Sequence, residues 1–596
     1  MEKRINDFSI RVATVNGTGS QSANSILFKS IFRMGIGACA KNLFPSNIQG
    51  LPTWFQIRVS EKGYQNLREH DDIAVMMNAE TADEDLAWMR ENTTIFYNSN
   101  IIKLKEDLQK KGQNIYALPI EDLAKTITDT KLRPLLKNLF YVGAISHLYG
   151  LDKEVVKKVI SDQFKDKQSA IDANVAAFNT GIEYATQNFK KNDPYELRAG
   201  ETNKGKIFTE GNTAAGLGAV YAGCTVIAWY PITPSSSLAE SAEGYLKKLR
   251  TGSDGKAKYA VVQAEDELAS IGMVVGAGWA GARAMTSTAG PGISLMQEFI
   301  GLAYYAEVPA VIVDVQRVGP STGLPTRTQQ CDIQACAIAS HGDTKHVMVI
   351  PATTKECFDM MSDAFDLADQ LQTPIFVMTD LDLGMNIWVD EEFTYKTPKF
   401  NRGKVLTKEQ LDKAEKFGRY LDSDGDGIPY RVLPGTNHMK SGYFTRGSGH
   451  DEMARYTESP VAYVRNMERL LKKWHTAKTL VPKPIVTGDS KAKIGLIAYG
   501  TTHHAVVEVL DRMKDKNIKY MRLRGYPFST EIEDFIKNCD TVYVIEQNRD
   551  GQMKQLLEVD IPGYQSKLRS VKYYGGFPIS SDIIERELTT QFKAGK

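Results

Sequence analysis

Short apolar runs alternate with helical patterns through the middle of the chain, and this alternation constrains the fold more than any other feature. The apolar runs lie at residues 225–229, 259–263, 308–315 and 373–378. Runs of this length suit strands that are buried on both faces, and strands separated by helices predict a parallel sheet. The sequence therefore predicts an α/β fold over residues 207–390.

Two loops that follow these strands are rich in Pro, Gly, Ser and Thr. They lie at residues 230–234 (YPITP) and 316–326 (QRVGPSTGLPT). Loops at the carboxyl ends of parallel strands form the ligand crevice of an open α/β sheet. Hydroxyls, backbone N–H groups and one arginine suit a small carboxylate, so the two loops predict a small-molecule site.

The chain is long enough for several domains. Its 596 residues allow two to four domains with sizeable cores. The pattern predicts a first α/β domain at residues 1–195, a second at 196–390, an irregular excursion at 391–485 and a third α/β domain at 486–596. The predicted fold class is α/β, with three α/β domains and mainly parallel sheets.

Composition argues against two classes of partner. The formal net charge is +1, without the basic excess of a nucleic-acid binder. The N-terminus has no apolar signal core, and the longest weakly polar run, residues 268–282, is too short to span a bilayer. We therefore expect a cytoplasmic protein with no membrane segment, in which residues 268–282 form a closely packed internal helix.

The cysteines and histidines show no metal-binding spacing. The six cysteines are scattered and lack a C-x-x-C pair, which predicts free buried thiols in a reducing compartment. An iron–sulfur cluster needs about four cysteines, usually close together, and the nine histidines lack the spacing of zinc ligands. We expect no metal site built by this chain alone.

One acidic segment imitates a calcium loop. Asp422, Asp424 and Asp426 follow the first half of the loop pattern, but the twelfth position is Leu433 instead of Glu. An acidic surface turn and a low-affinity cation site both stay open.

Several positions near strand ends allow a structural or a functional interpretation. Glu265 either belongs to an acidic first helical turn or hydrogen-bonds a ring nitrogen of a ligand. Arg317 ends a buried strand, where its charge needs a partner, either an internal carboxylate or a substrate carboxylate. Thr233 either ends a turn between prolines or donates to a substrate oxygen. The glycine-rich turn at residues 16–23 is either a tight turn or an anion contact.

The motifs, taken in order, resemble those of one family. The chain is similar to the fused γα subunit of two-subunit 2-oxoacid:ferredoxin oxidoreductases, most closely those of the 2-oxoglutarate type. The motifs cover nearly the whole chain: NGTGSQSAN and KNLFPSNIQGLP of a γ domain, YPITPSS, QAEDELAS, TSTAGPG and QRVGPSTGLPT of a thiamine diphosphate pyrimidine-binding domain, and IAYGTT, LRGYPF and EQNRDGQ of a transketolase C-terminal-like domain.

The resemblance implies roles for five residues. Thr233 contacts the bound 2-oxoacid, and Arg317 holds its carboxylate, with Thr326 near that arginine. Ser46, in a loop of the γ domain, completes the substrate pocket. Glu265 bonds the aminopyrimidine ring of thiamine diphosphate, because a carboxyl shared with the ring nitrogen favours the imino form that removes the C2 proton.

The resemblance also implies a reaction and its partners. The enzyme converts 2-oxoglutarate and coenzyme A to succinyl-CoA and CO₂ by oxidative decarboxylation and reduces ferredoxin, or catalyses the reverse reductive carboxylation. A β subunit is expected to supply Mg²⁺ and a 4Fe-4S cluster in an (αβ)₂ assembly. The active site would then lie between subunits, and this chain alone would be incomplete.

Other functions stay open on the sequence alone. A sister enzyme acts on pyruvate or another 2-oxoacid, and no residue for a distal carboxylate is identified. A non-catalytic assembly subunit is a second alternative. A thiamine-dependent transferase or non-oxidative decarboxylase on the same fold is a third.

Overall fold

Three sheets flanked by helices follow one another along the chain. The structure is a computed structural model that describes residues 3–44, 52–104, 113–395 and 399–594. Most strand pairings in the three sheets are parallel, and helices cover their faces. The predicted α/β fold class is therefore confirmed.

The N-terminal part, up to residue 196, folds around a six-stranded sheet. Its strands are β1 (Arg4–Ile5), β2 (Asp7–Val15), β3 (Ala38–Leu43), β4 (Pro52–Ser60), β5 (Ile73–Met76), β6 (Thr94–Asn98), β7 (Ile115–Leu118) and β8 (Tyr195–Glu196). Its helices are Ser20–Arg33, Ala82–Ala87, Ile120–Leu123, Arg133–Leu136, Leu139–Tyr149, Lys153–Phe164 and Gln168–Asn188. The sheet has the order β3-β4-β2-β5-β6-β7, with parallel pairing from β2 to β7. Strand β1 pairs with β8 and ties the start of the chain to the end of this part.

Two helices of this part cross at a glycine. Helix Leu139–Tyr149 is buried almost throughout and packs on helix Gln168–Asn188. A Cβ at Gly143 would lie 2.3 Å from the carbonyl oxygen of Phe178. Only glycine lets the two backbones approach this closely.

The glycine-rich turn at residues 16–23 closes tightly at the start of the first long helix. Gly19 has a φ of 74°, and a Cβ there would lie 2.5 Å from the carbonyl oxygen of Leu135. Asn138 donates a hydrogen bond to the carbonyl oxygen of Thr18 at 2.7 Å. Other residues of the same chain fill the space at this turn, which favours the tight-turn interpretation over an anion contact.

The central part folds around a parallel sheet in which the strand order reverses. Its strands are β9 (Lys206–Thr209), β10 (Val226–Trp229), β11 (Ala260–Gln263), β12 (Ala284–Thr288), β13 (Ala310–Gln316), β14 (Val347–Val349), β15 (Pro374–Asp380) and β16 (Trp388–Glu391). Its helices are Gly211–Tyr221, Ser236–Leu249, Glu267–Trp279, Gly290–Leu295, Gln297–Ala306, Ile333–Ala337, Thr354–Leu371 and Leu381–Met385. Six strands lie parallel in the order β11-β10-β12-β13-β15-β14. The chain passes from β10 to β11 on one side and then to β12 on the other, so a topological switch point lies between β10 and β12, where open α/β sheets bind ligands.

The four strands predicted from apolar runs are present, with limits within two residues of the prediction. Strands β12 and β14 were not predicted. Strand β12 carries Thr286, Ser287 and Thr288, and β14 has only three residues. Polar side chains and short length hide such strands from a search for apolar runs.

Helix Glu267–Trp279 contradicts the prediction of a closely packed internal helix at residues 268–282. One of its faces packs on the sheet, but Leu268, Met273 and Trp279 are 41%, 40% and 45% exposed. The exposed positions are as apolar as the buried ones, so hydropathy alone did not distinguish the two faces. The prediction was wrong for this outer face.

The described residues of the stretch 391–485, which is predicted to be irregular, include two α-helices. They are Lys408–Lys413 and the 21-residue helix Pro460–Leu480. Ser459 caps the long helix by accepting a hydrogen bond from the backbone N–H of Ala462, and Pro460 occupies its first turn. The prediction was therefore wrong for the last third of this stretch.

A buried charge cluster fastens the long helix to the central part. Glu307 is fully buried, 2.8 Å from Nζ of Lys473 and 3.1 Å from Nη1 of Arg469. Burial alone would raise the pKa of Glu307, but the two cations lower it to about 2. A buried charge is costly unless it is paired, so these contacts hold the helix against the sheet.

The C-terminal part folds around a second mainly parallel sheet. Its strands are β17 (Ile485–Thr487), β18 (Ile494–Tyr499), β19 (Ile518–Leu523), β20 (Gly525–Tyr526), β21 (Thr541–Glu546) and β22 (Leu568–Lys572). Its helices are Thr502–Arg512, Thr530–Lys537, Gln552–Asp560 and Ser581–Ala594. The sheet has the order β17-β19-β18-β21-β22, in which only β17 is antiparallel. Strand β20 instead pairs antiparallel with β14 and extends the central sheet to seven strands.

Two findings bear on the predictions about the environment of the chain. All six cysteines are free and all but Cys331 are buried, so the prediction of free thiols is confirmed. Across the described ranges, no helix has both the length and the apolar character that a membrane span requires.

The contact at Gly143 generates a test of the packing in the N-terminal part. Gly143→Ala forces its Cβ into the backbone of the neighbouring helix, and we expect a loss of about 1–3 kcal/mol in the free energy of unfolding. Thermal unfolding followed by circular dichroism measures this loss. Gly244→Ala is the control, because no atom lies within 4 Å of a Cβ there and alanine favours the helix. Equal melting temperatures for the two variants would contradict the prediction.

Candidate functional site

A cavity of about 950 Å³ opens at the carboxyl ends of β12 and β13, beside the switch point. The central part contributes Gly290, Arg317 and Asp332 to its lining, and the C-terminal part contributes Asn548 and Arg549. The cavity therefore lies between two sheets, in the crevice that the loops of the sequence predicted.

Arg317 is the buried cation of this cavity. It directly follows β13, and its side chain is 7% exposed. Nη1 donates a hydrogen bond to the carbonyl oxygen of Thr233 at 2.6 Å, whereas Nε has no partner among the described residues. Burial lowers the pKa of Arg317, and the negative charges of Asp332 and Glu267 oppose this effect. A guanidinium with donors left over beside a cavity fits a ligand carboxylate.

Thr233 lies next to Arg317 because a buried asparagine holds its turn. Asn212 is 1% exposed, and Nδ2 donates to the carbonyl oxygen of Pro234 at 2.8 Å and to Oγ of Ser237 at 2.9 Å. These bonds fix the turn after β10 against the first helix of the central part. The structure thus brings Thr233 and Arg317 together, through the backbone of the threonine.

Thr326 lies away from the cavity lining, at a contact between the three parts of the chain. It is 8% exposed, and its hydroxyl accepts a hydrogen bond from Nη1 of Arg327 at 3.2 Å. The same Nη1 lies 3.4 Å from the carbonyl oxygen of Phe44, and the Arg327 guanidinium lies over the ring of Phe577. Ser46 lies outside the described residues.

Glu265 is exposed at the open edge of the central sheet and does not line the cavity. It follows β11, the outermost strand, and the nearby side chains of Tyr230, Val262 and Leu268 are exposed and apolar. Its neighbour Asp266 caps the following helix by accepting from the backbone N–H of Ala269, so Glu265 precedes the first helical turn. A free carboxyl group beside apolar surface suits a heteroaromatic ring with one hydrogen-bonding edge. Among the described residues, no wall covers this edge.

Two carboxyl groups behind Arg317 were missed in the sequence. Asp314 is fully buried on β13 and Asp332 lies on the cavity wall, and one oxygen of each has no hydrogen-bond partner among the described residues. Burial raises the pKa of Asp332 to about 6, and burial together with Asp332 raises the pKa of Asp314 well above its usual range. A charged residue inside the apolar run of β13 was the signal that could have revealed Asp314.

A buried polar network joins the central and C-terminal sheets beside the cavity. Oδ2 of Asp380 accepts from the hydroxyl of Thr501 and from Nε2 of Gln330. Asn548 donates to the backbone carbonyl of Gln330 at 3.0 Å. Burial raises the pKa of Asp380 to about 6. The carboxyl ends of β15, β18 and β21 therefore face one another through hydrogen bonds, which sequence spacing cannot show.

A lysine side chain contacts the carboxylates of the acidic segment that imitates a calcium loop. Nζ of Lys404 lies 2.7 Å from Asp424 and 2.8 Å from Asp426, and Asp422 accepts backbone hydrogen bonds from the turn. This arrangement favours the acidic-turn interpretation. Within the described ranges, no cluster of three or more His, Cys, Asp or Glu side chains is arranged to hold a metal ion.

Comparison with protein families matches two parts of the chain. Residues 9–184 match the family described as pyruvate ferredoxin/flavodoxin oxidoreductase. Residues 217–426 match the family described as pyruvate flavodoxin/ferredoxin oxidoreductase, thiamine diphosphate-binding. The second match includes Thr233, Glu265 and Arg317.

Comparison with individual proteins gives a consistent result. The chain is 29% identical to 2-oxoacid:ferredoxin oxidoreductase 2, subunit alpha, of Aeropyrum pernix, over 92% of each chain. It is 33% identical to the 2-oxoglutarate synthase subunit KorA of Methanocaldococcus jannaschii, over 57% of this chain and 88% of that subunit. Among solved structures, it is similar to 2-oxoglutarate:ferredoxin oxidoreductase from Magnetococcus marinus with 2-oxoglutarate, coenzyme A and succinyl-CoA bound, with a TM-score of 0.89 and 28% identity over 99% of this chain and 100% of that one.

The buried carboxyl groups generate a test by pH. Because burial raises the pKa of Asp314 in the folded chain, the native protein loses stability as pH rises from about 4, the ordinary carboxyl pKa, towards the raised value. Asp314→Asn removes this loss, which amounts to about 1.4 kcal/mol per pH unit of the window. We expect the melting temperature of the variant, relative to the native protein, to be higher at pH 8 than at pH 5. The exposed Asp254→Asn is the control, and an equal difference at both pH values would refute the assignment.

Proposed function

The chain belongs to the 2-oxoacid:ferredoxin oxidoreductase family, as an α subunit with a thiamine diphosphate-binding domain, and from this premise we propose that its substrate is 2-oxoglutarate. The proposed reaction converts 2-oxoglutarate, coenzyme A and two oxidised ferredoxins to succinyl-CoA, CO₂, two reduced ferredoxins and a proton, or runs in reverse as reductive carboxylation. Support comes from the similar KorA subunits and from the similar Magnetococcus marinus enzyme, which binds 2-oxoglutarate, coenzyme A and succinyl-CoA.

The observation that carries the proposal is the buried Arg317 beside the cavity. Its unpaired Nε and its remaining donors allow two parallel hydrogen bonds to the C1 carboxylate of a 2-oxoacid. The backbone carbonyl of Thr233 fixes one edge of the guanidinium, and the hydroxyl of Thr233 is proposed to donate to a substrate oxygen. The burial of Arg317, which is 7% exposed, is proposed to strengthen both interactions.

Thr326 and Ser46 are proposed to support the substrate pocket from the loops around it. Thr326 holds Arg327 in place at the junction with Phe44, so it is proposed to act through the shape of the loop. Ser46 follows Phe44 by two residues and is proposed to close the pocket from the N-terminal part.

The residues at the open edge fit the pyrimidine half of thiamine diphosphate. Glu265 offers a free carboxyl group to a ring nitrogen, and the apolar side chains of Tyr230 and Leu268 offer contact to a ring face. When bound, thiamine diphosphate supplies a nucleophilic carbon for the 2-oxo carbon and accepts the electron pair left by CO₂. Glu265 is proposed to hold the ring nitrogen and to stabilise the tautomer that moves the proton.

The remaining chemistry is proposed to reside on a partner. The described residues offer no metal cluster, and the six cysteines are free and scattered. A β subunit is therefore proposed to bring Mg²⁺, the diphosphate site and a 4Fe-4S cluster, to pass electrons to ferredoxin and to form an (αβ)₂ assembly. We also propose that the domains of this chain span residues 1–195, 196–390 and 486–596.

A substrate comparison tests the proposed specificity. The purified αβ complex is assayed with 2-oxoglutarate, pyruvate and 2-oxobutyrate, each with coenzyme A and a viologen acceptor. We expect the highest kcat/KM for 2-oxoglutarate and no acceptor reduction without coenzyme A. If 2-oxoglutarate were the poorest substrate, the proposed specificity would fall, and product release without coenzyme A or acceptor would indicate a non-oxidative decarboxylase.

A substitution at Arg317 tests the proposed anchor. Arg317→Ala removes the buried guanidinium that is proposed to bind the substrate carboxylate. We expect kcat/KM for the 2-oxoacid to fall by on the order of 100-fold, or about 3 kcal/mol. Arg317→Lys keeps a positive charge but loses the forked guanidinium, so its kcat/KM should lie between those of the native complex and of Arg317→Ala. The control is Arg586→Ala, an exposed arginine that pairs with Glu69 away from the cavity. Unchanged turnover in Arg317→Ala would rule out this anchor.

A further inference from the structure

Asp332 is a carboxyl group on the cavity wall that has no role in the proposed reaction. Its backbone N–H donates to Oε1 of Gln316 at 3.0 Å, and its carboxylate oxygens pack against Gly290, where a Cβ would lie 2.8 Å from each. Oδ2 is shielded from solvent and has no hydrogen-bond partner in the described part of the chain. The carboxyl group is therefore fixed beside Arg317, on the wall of the same cavity.

A set of titratable groups surrounds Asp332 and Arg317. The members are Asp314 on β13, Glu267 at the start of its helix, the thiols of Cys331 and Cys336, and the Arg549–Asp550 pair across the cavity. Burial raises the pKa of both thiols, so they stay neutral near pH 7, and burial together with Asp332 raises the pKa of Asp314. Arg549 and Asp550 neutralise each other. Asp332 and Glu267 are then the negative charges that act on Arg317, with Asp332 the stronger.

A ligand carboxylate bound to Arg317 changes the protonation equilibrium of Asp332. Arg317 and Asp332 form no direct ion pair among the described residues, but each charge shifts the pKa of the other, so the two attract each other along the cavity wall. A second carboxylate beside one buried guanidinium repels the first, and protonation of one of them relieves the repulsion. Burial raises the pKa of Asp332 to about 6, against the lowering effects of Cys331 and Arg317, so a proton is available to it near neutral pH at modest cost.

We propose that Asp332 is a positioning residue that balances the charge of Arg317 in the empty cavity and takes up one proton from solvent when a substrate carboxylate binds. When that carboxylate leaves as CO₂, Arg317 loses its anion and Asp332 returns the proton. The inference rests on the proposed function, because it requires Arg317 to hold the carboxylate. Asp332 acts through Arg317 and forms no bond to the reacting carbon.

Proton uptake on binding can be measured by isothermal titration calorimetry with glutarate and the intact αβ complex. Glutarate has both carboxylates of 2-oxoglutarate but lacks the 2-oxo group, so it cannot react. Titrations at pH 7.5 in phosphate and in Tris, whose ionisation enthalpies differ, give the number of protons taken up per glutarate bound. We expect close to one proton for the native complex and close to none for Asp332→Asn. The Kd of the native complex should rise by about tenfold per pH unit above pH 7, and that of the variant should stay nearly constant.

Asp71→Asn is the matched control. Burial also raises the pKa of Asp71 to about 6, but Asp71 lies in the N-terminal part, away from the cavity. This variant should keep the native proton uptake. A native complex that binds glutarate without proton uptake, or an Asp332→Asn complex that takes up as many protons as the native one, would overturn the proposal.

Kinetics provides a second, independent measurement. The KM for 2-oxoglutarate between pH 6.5 and 8.5 should rise with pH in the native complex and in Asp71→Asn, and should be nearly flat in Asp332→Asn. A KM profile that Asp332→Asn leaves unchanged counts against the proposal, whatever the affinity for glutarate. Failure of the proposed function has a different signature, since the native complex would then not turn over 2-oxoglutarate.

Discussion

The buried ion pair between Lys41 and Asp382 fixes how the three parts of the chain meet. Nζ of Lys41, on β3, lies 2.6 Å from both carboxylate oxygens of Asp382, which follows β15, and both side chains are at most 2% exposed. The ring of Trp388 covers the ammonium group at 3.9 Å, and His504 of the C-terminal part stacks on that ring at 4.4 Å. Removal of either charge would leave the other buried without a partner, at a cost of about 3–5 kcal/mol. The pair therefore holds the three sheets in one arrangement.

That arrangement explains why the candidate site is divided. Asp380, two residues before Asp382, binds Thr501, so the ends of the central and C-terminal strands face each other and enclose the cavity at Arg317. Glu265 follows β11, the outermost strand of the central sheet, where the described residues provide no opposing wall. One chain thus provides the proposed carboxylate pocket between two sheets and the proposed ring-binding edge, which is open among the described residues.

The sequence predicts the parts of this structure that follow from local pattern. Apolar runs locate four strands of the central sheet, and the rule that ligands bind at the carboxyl ends of strands brings Thr233 and Arg317 together. Local pattern fails where partners are distant in the chain: Asp332 precedes a short helix and looks like a cap, and only the fold places it beside Arg317. Pattern also fails to separate the two faces of helix Glu267–Trp279, since its exposed outer face is as apolar as its inner one.

The open edge of the central sheet has a consequence for synthesis in the cell. Strand β11 pairs with β10 on one side only, and the surface beside it is apolar, with Val262 38% exposed. An unpaired strand edge with apolar side chains pairs nonspecifically with other polypeptide chains. If the proposed β subunit covers this edge, a surplus of this polypeptide over that subunit should aggregate or be degraded. Matched translation of the two chains, more than the stability of either, would then limit how much complete enzyme accumulates.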